Sequence, residues 1–172
     1  VYIPYETVTG SINSRFYLDE AEGKLFYTLP EGNAEAVCNS ASYRYDGKQI
    51  SLENPISLEK DGRLYLSLEY ISLFTDLRYE VYEDPGRLYL DTDWGSIVKA
   101  PVSKKTSVRY RGGIKSEILT EVQKQDTVIV LQEWQKWAMV RTQDGHVGYV
   151  QKSCLGTRYE ETLESQFEQP VY

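Results

Sequence analysis

Asp91 and Asp93 are the first residues to weigh for catalysis. In Asp91-Thr92-Asp93-Trp94-Gly95 two carboxylates alternate at the end of a strand-like run, and paired carboxylates are the chemistry of glycoside hydrolysis. Such chemistry also needs a proton-donating acid beside the bond to be cut, and the next positions, Trp94 and Gly95, supply none. The pair therefore reads as a solvated strand end. His146 is the sole histidine, which supports neither a Ser-His-Asp relay nor a set of imidazoles for zinc or copper; in its turn it reads as a surface side chain. Cys38 and Cys154 sit in no nucleophile motif, disulfide framework or zinc spacing. They read as small buried residues, with a bridge between them as the alternative. No glycine-rich phosphate loop occurs. Nothing catalytic is expected, and no cofactor.

Binding chemistry is better served. Trp134, Trp137, Tyr110 and Tyr149 fall on loops or strand ends, and Arg109, Arg111, Lys115 and Arg141 lie near them in sequence. Aromatic faces stack on sugar rings or peptides, and neighbouring cations add donors. Trp134, Tyr110, Tyr149, Arg109, Arg111 and Arg141 form the candidate ligand-binding set. Trp137 and Tyr149 also suit core positions, and for Trp137 the core is the preferred place.

The elements that position these residues follow from composition and pattern. The chain has 172 residues, 19 basic and 26 acidic, for a net charge of −7. Bulk attraction to nucleic acid or anionic membrane is not expected, and no stacking motif for nucleic acid is present. Mean hydropathy is −0.50, and no apolar run approaches the roughly 18 residues of a membrane span. Fifteen tyrosines against four phenylalanines favour strands over a helical bundle. The chain starts without Met and its first residues already read as a strand, so it is expected to be either a processed chain or a piece cut from a longer one.

Charge divides the chain. Residues 1–97 carry 8 basic and 17 acidic residues, residues 98–157 carry 10 and 5, and residues 158–172 carry 1 and 4. The sign change near Ile97 predicts a domain boundary there. Within the first region, an offset of 63 positions superposes residues 1–28 on 64–91 with six identities, a modest repeat made stronger by a shared order of strand, short helix, strand, Gly turn and strand. In the second copy Asp61-Gly62 is a hairpin turn signal, and Leu68, Ile71, Leu73, Phe74 and Leu77 give a helical stripe able to cover a sheet. Residues 31–60 read as extra strands and turns, with Asp46-Gly47 as another hairpin turn. Residues 98–157 read as five short strands separated by turns, the pattern of a small barrel. In the acidic tail, Tyr159, Leu163 and Phe167 lie four apart, which suits either a short helix or a linker.

Two resemblances refine this reading. Asp61-Gly62-Arg63-Leu64-Tyr65-Leu66, Leu68-Glu69-Tyr70-Ile71, Tyr79-Glu80-Val81-Tyr82 and Arg87-Leu88-Tyr89-Leu90 resemble the copper amine oxidase N-terminal-like domain of bacterial surface proteins. The family's usual proline after the first strand is Ser67 here, although Pro4 holds that place in the first copy, and its glycine after the helix is replaced around Asp76-Leu77. The family name implies no copper. Residues 98–157 resemble the bacterial SH3 domain: Ser107-Val108-Arg109, Arg111-Gly112-Gly113, Lys124-Gln125-Asp126, Trp137-Ala138-Met139-Val140 and Asp144-Gly145-His146-Val147-Gly148-Tyr149-Val150 follow its order. The Lys-Gln-Asp turn lacks the family's glycine. That resemblance implies binding to peptidoglycan or its peptide crosslinks.

The expectation is thus a mainly β chain. Residues 1–97 form an α+β repeat domain, with antiparallel sheet and short helices, residues 98–157 an SH3-like barrel, and residues 158–172 an acidic linker or tail. This pairing of modules is similar to the N-terminal region of secreted family-18, chitinase-like glycoside hydrolases. It implies a non-catalytic region, at the cell surface or outside the cell, that holds an enzyme on peptidoglycan or another wall glycan or peptide, with no nucleic acid partner and no membrane insertion. The alternative is a structural spacer or protein-interaction module that binds no glycan. Fold alone does not choose between them.

Overall fold

Alternation of apolar and polar residues governs most of the sequence, and the chain answers it with strands. A computed structural model describes residues 1–165 and Phe167. The fold is mainly β, built from antiparallel sheets. Its contacts divide it into two compact units, residues 1–78 and 79–165.

The first unit opens with β1 (Tyr2–Pro4), a short helix α1 (Tyr5–Thr7) and a wider helical turn, Val8–Ile12. Strands β2 (Phe16–Asp19), β3 (Lys24–Leu29), β4 (Gly32–Val37), β5 (Ser42–Tyr45) and β6 (Lys48–Ser51) form a five-stranded meander in chain order. Strands β7 (Ser57–Lys60) and β8 (Arg63–Ser67) form a hairpin, and β1 adds to β8 with Tyr2 opposite Ser67. Asp46-Gly47 and Asp61-Gly62 turn their hairpins with all four φ between 49° and 71°, the left-handed pair that a two-residue type I′ loop demands.

Helix α2 (Leu68–Phe74) follows β8 directly. Ser67 is its N-cap, accepting a 3.0 Å hydrogen bond from the Tyr70 N–H; the hydroxyl satisfies a donor that a proline side chain would leave to water. Leu68, Tyr70, Ile71 and Phe74 face inward. Leu73, expected on the buried stripe, is 38% exposed. It stands about 200° round the axis from Ile71, so Tyr70 takes the inward place, and Leu77 falls beyond the helix. The core here is aromatic. Tyr27 and Phe74 stack at 4.4 Å, Phe16 lies 4.7 Å from Tyr27, and Tyr43 lies 5.4 Å from Tyr70. The Tyr27 hydroxyl donates to the Phe74 carbonyl at 3.1 Å, closing the helix C-terminus from within the core.

The second unit holds a hairpin and a barrel. The hairpin is β9 (Arg78–Glu83) with β10 (Gly86–Asp91). Then follow β11 (Ser96–Pro101), β12 (Thr106–Arg109), β13 (Ile118–Val122), β14 (Thr127–Glu133), β15 (Trp137–Arg141), β16 (Val147–Gln151) and β17 (Tyr159–Thr162), ordered β13-β12-β16-β15-β14-β11-β17 in one antiparallel sheet. Ala100, Val102, Val108, Val122, Val128, Ala138, Val140, Val150 and Leu155 fill its interior. Such small and β-branched side chains suit a narrow barrel.

The break between the two units falls between Arg78 and Tyr79, ahead of the charge reversal at Ile97. One feature departs from expectation. Residues 159–162 are a strand, where a helix or linker was expected: β17 pairs with β11, with Glu161 opposite Ile97, and Lys99 Nζ lies 2.7 Å from the Glu161 carboxylate. The backbone groups along β11 supply partners that a lone amphipathic turn does not have. The rest of that acidic tail, residues 166 and 168–172, lies outside the described residues.

Gly148 sits where β16 passes close to β12. A Cβ there would stand 2.7 Å from the Arg109 carbonyl and 2.8 Å from Val108 Cγ1. Backbone cannot yield as a side chain can, so Gly148→Ala is expected to cost about 1–3 kcal/mol. Thermal unfolding followed by circular dichroism checks this, and an unchanged midpoint would contradict it.

Candidate binding surfaces of the barrel

Strand alternation sorts the candidate residues. On β15, Ala138 and Val140 are buried, so Trp137, Met139 and Arg141 point outward. On β16, Tyr149 lies between the buried Gly148 and Val150. Tyr149 pairs across with both Arg109 and Met139, which puts these three in one outward row. Trp134 joins them from the β14–β15 loop. Its N–H donates to the Trp137 carbonyl at 2.8 Å, and its ring lies 5.5 Å from that of Tyr149.

Arg109 also shapes the loop that follows it, donating from Nη1 to the Ser116 carbonyl at 2.7 Å. Ser116 Oγ accepts from the Arg111 N–H at 2.8 Å. On this loop the Arg111 guanidinium covers the Tyr110 ring at 5.5 Å, and Tyr110 is 59% exposed. Trp134, Tyr149 and Arg109 are thus brought together, and Tyr110 and Arg111 form a pair of their own beside them. Arg141 is not part of this group. It lies at the other end of β15 and covers the Tyr89 ring at 4.8 Å.

Trp137, expected in the core, is only partly buried and lines an open groove of about 710 Å³. Ile114, Gln135, Lys136, Gln151 and Lys152 line it too. Gly112 lies over the indole, where a Cβ would stand 3.3 Å from Trp137 Cγ. The signal was in the sequence: with Ala138 and Val140 fitting the interior, period two forces Trp137 outward. Three cations, Lys136, Lys152 and Arg158, border the groove. Arg158 is held by its Nε bond of 3.1 Å to Glu133 and by a 2.7 Å bond to the Gly156 carbonyl. An indole face with cations around it offers apolar stacking and carboxylate recognition in one place.

The turn at the far end of the barrel is polar. Thr142 Oγ1 donates to Asp144, His146 Nδ1 lies 3.0 Å from the same carboxylate, and Thr120 Oγ1 donates to it at 3.3 Å. Burial opposes ionisation of Asp144, but the bonds from Thr142 and His146 and the His146 charge outweigh it and hold the carboxyl below its ordinary 3.8. His146 therefore serves this turn. Among the described residues no group of three or more His, Cys, Asp or Glu could hold a metal ion. Both cysteines are free; Cys154 is buried, but Cys38, expected inside, is partly exposed. Asp91 ends β10, and Asp93 follows in an exposed turn.

Residues 104–156 match the family model described as Bacterial SH3 domain. The chain thus contains a bacterial SH3 domain, a binding domain often used on cell walls or in protein interaction and not a catalytic one. No curated protein and no solved structure matches the chain. Among the described residues no helix is long and apolar enough to cross a membrane.

A depressed folded pKa contributes stability above the unfolded value, and that contribution is lost as pH falls through the folded value. For Asp144 the loss is expected at and below pH 3.8. Asp144→Asn should remove this portion of the acid dependence. Urea midpoints measured between neutral and acid pH check it, and identical acid slopes for the two proteins would contradict it.

Proposed function

We propose that this chain is a non-catalytic targeting region that holds a secreted enzyme on bacterial cell wall, with peptidoglycan as the ligand of its SH3 domain. The observation that carries the reading is the groove beside Trp137. A large aromatic face, Ile114 and the ammonium group of Lys136 stand together, with Lys152 shared with Glu133 at 3.8 Å, on a domain type commonly found on cell walls. Wall polymers present both sugar rings and carboxylate-bearing peptides, and the groove has partners for each. The adjoining Trp134, Tyr149 and Arg109 cluster, with Tyr110 and Arg111, extends the contact surface. Exposure of 42% at Trp134 and 59% at Tyr110 favours this over a spacer, which needs no open aromatic rings.

In this reading the region before the barrel is a copper amine oxidase N-terminal-like repeat domain. The segments 1–29 and 63–91 each run strand, helix, strand, strand, and their first strands pair with each other. The parent is a chitinase-like glycoside hydrolase acting outside the cell, and its catalytic chemistry lies elsewhere than in these residues.

Sedimentation with purified Gram-positive peptidoglycan, and separately with chitin, tests the reading. The chain is expected to pellet with peptidoglycan. Trp137→Ala should weaken retention at least about tenfold, the scale of losing a central aromatic contact, and Trp134→Ala should weaken it less. Absence of pelleting with either polymer would overturn wall targeting and favour the spacer.

A further inference from the structure

We propose that a second cleft, where strands flanking the SH3 match meet the barrel, is a binding site for a neutral saccharide. Its floor is set by strand register. Tyr159 lies opposite Lys99, Lys99 opposite Ile129, and Ile129 opposite Arg141. Residues directly opposite share a face, so these four side chains form one row across β17, β11, β14 and β15. The row faces outward, since the neighbouring Ala100, Val128 and Val140 are buried. Glu80 and Tyr82, two apart on β9, line the same cleft of about 360 Å³. Such a volume lies at the low end for small-molecule sites.

The side chains are held in place before any ligand arrives. The Tyr82 hydroxyl donates to the Glu80 carboxylate, and the Tyr82 ring meets Tyr89 edge-on at 5.9 Å. Arg141 rests on Tyr89 at 4.8 Å, and Lys99 is paired with Glu161 at 2.7 Å. Burial, with Glu80 beside it, pushes the Tyr82 phenol up to about 12, so it keeps its proton at neutral pH.

The chemistry narrows the ligand. Arg141 and Lys99 donate, Glu80 accepts, and Gln143 at the margin does both. Hydroxyl groups, which donate and accept at once, match such a mixed set. An anion would meet Glu80, and a cation would meet Arg141. With Lys99 neutralised by Glu161, the remaining Arg141 and Glu80 balance, so a ligand without net charge is favoured. Tyr159 is 46% exposed and offers a ring on which a pyranose can stack. Glu80, Tyr82, Lys99 and Tyr159 fall outside residues 104–156 and Ile129 and Arg141 fall inside, so the site needs both the domain and what this chain adds to it. It shares no lining residue with the Trp137 groove and does not depend on that reading.

The test is a titration of the ¹⁵N-labelled chain with five neutral tetrasaccharides (cello-, chito-, xylo-, manno- and maltotetraose), with tetragalacturonate as the acidic control, each to about 10 mM so that millimolar affinities register. At least one neutral sugar is expected to shift the amides of Glu80, Tyr82, Lys99, Arg141 and Tyr159. Arg141→Met and Tyr159→Ser should each weaken that binding at least about tenfold. Tyr159→Phe keeps the ring and β17 and should bind within about twofold. Trp137→Ala should bind like the unaltered chain. The proposal is overturned if no neutral sugar shifts these amides, if only tetragalacturonate does, or if Trp137→Ala abolishes the shifts.

Discussion

The barrel unit depends on one turn with no room for a side chain. Gly145 has φ +79°, and a Cβ there would lie 2.6 Å from carbons of the Tyr82 ring. The ring can sit so close only because the turn offers bare backbone. Two hydrogen bonds hold the same contact: Tyr89 donates to the Gly145 carbonyl and Arg87 Nη2 to the Asp144 carbonyl, each at 2.8 Å. Asp144, in turn, is fixed by Thr142, His146 and Thr120. The β9–β10 hairpin is thereby fastened to the β15–β16 turn.

Much of the unit's surface follows from that fastening. Arg141, at the other end of β15 from the Trp134 and Tyr149 cluster, rests on Tyr89 and lines a cleft with Tyr82 and Glu80. At the other edge, β17 extends the sheet and brings Tyr159 into line with Lys99. Arg158, just before β17, reaches Glu133 and borders the Trp137 groove. The SH3 domain of residues 104–156 thus carries two additions, one before and one after it. They leave the groove open and create a second recess.

The barrel strands, the Asp-Gly hairpin turns and the bacterial SH3 domain were legible because each is written in local residue types at fixed spacing. Trp137 was legible in principle and misjudged, since a tryptophan in a strand invites assignment to the core while its neighbours Ala138 and Val140 already occupy it. Tyr70 and Leu73 exchanged places because a two-turn helix leaves the stripe underdetermined. The strand Tyr159–Thr162 has all four residues exposed and hence no alternation to read; only the presence of β11 reveals it. The placement of Arg141 depends on Tyr89, more than fifty residues earlier, and no spacing rule connects them. The charge reversal at Ile97 marks a change of surface composition, whereas the break in contacts at Arg78 depends on where the hairpin docks.

The central claim is that the hairpin belongs to the barrel through Gly145. Native-state hydrogen exchange on the intact chain, with and without Gly145→Ala, tests it most directly. The added methyl should drive the Tyr82 ring off the turn, so amide protection across β9 and β10 should fall while that of β3 and α2 in the first unit is unchanged. Unaltered protection in the hairpin, or a loss confined to the first unit, would contradict the account.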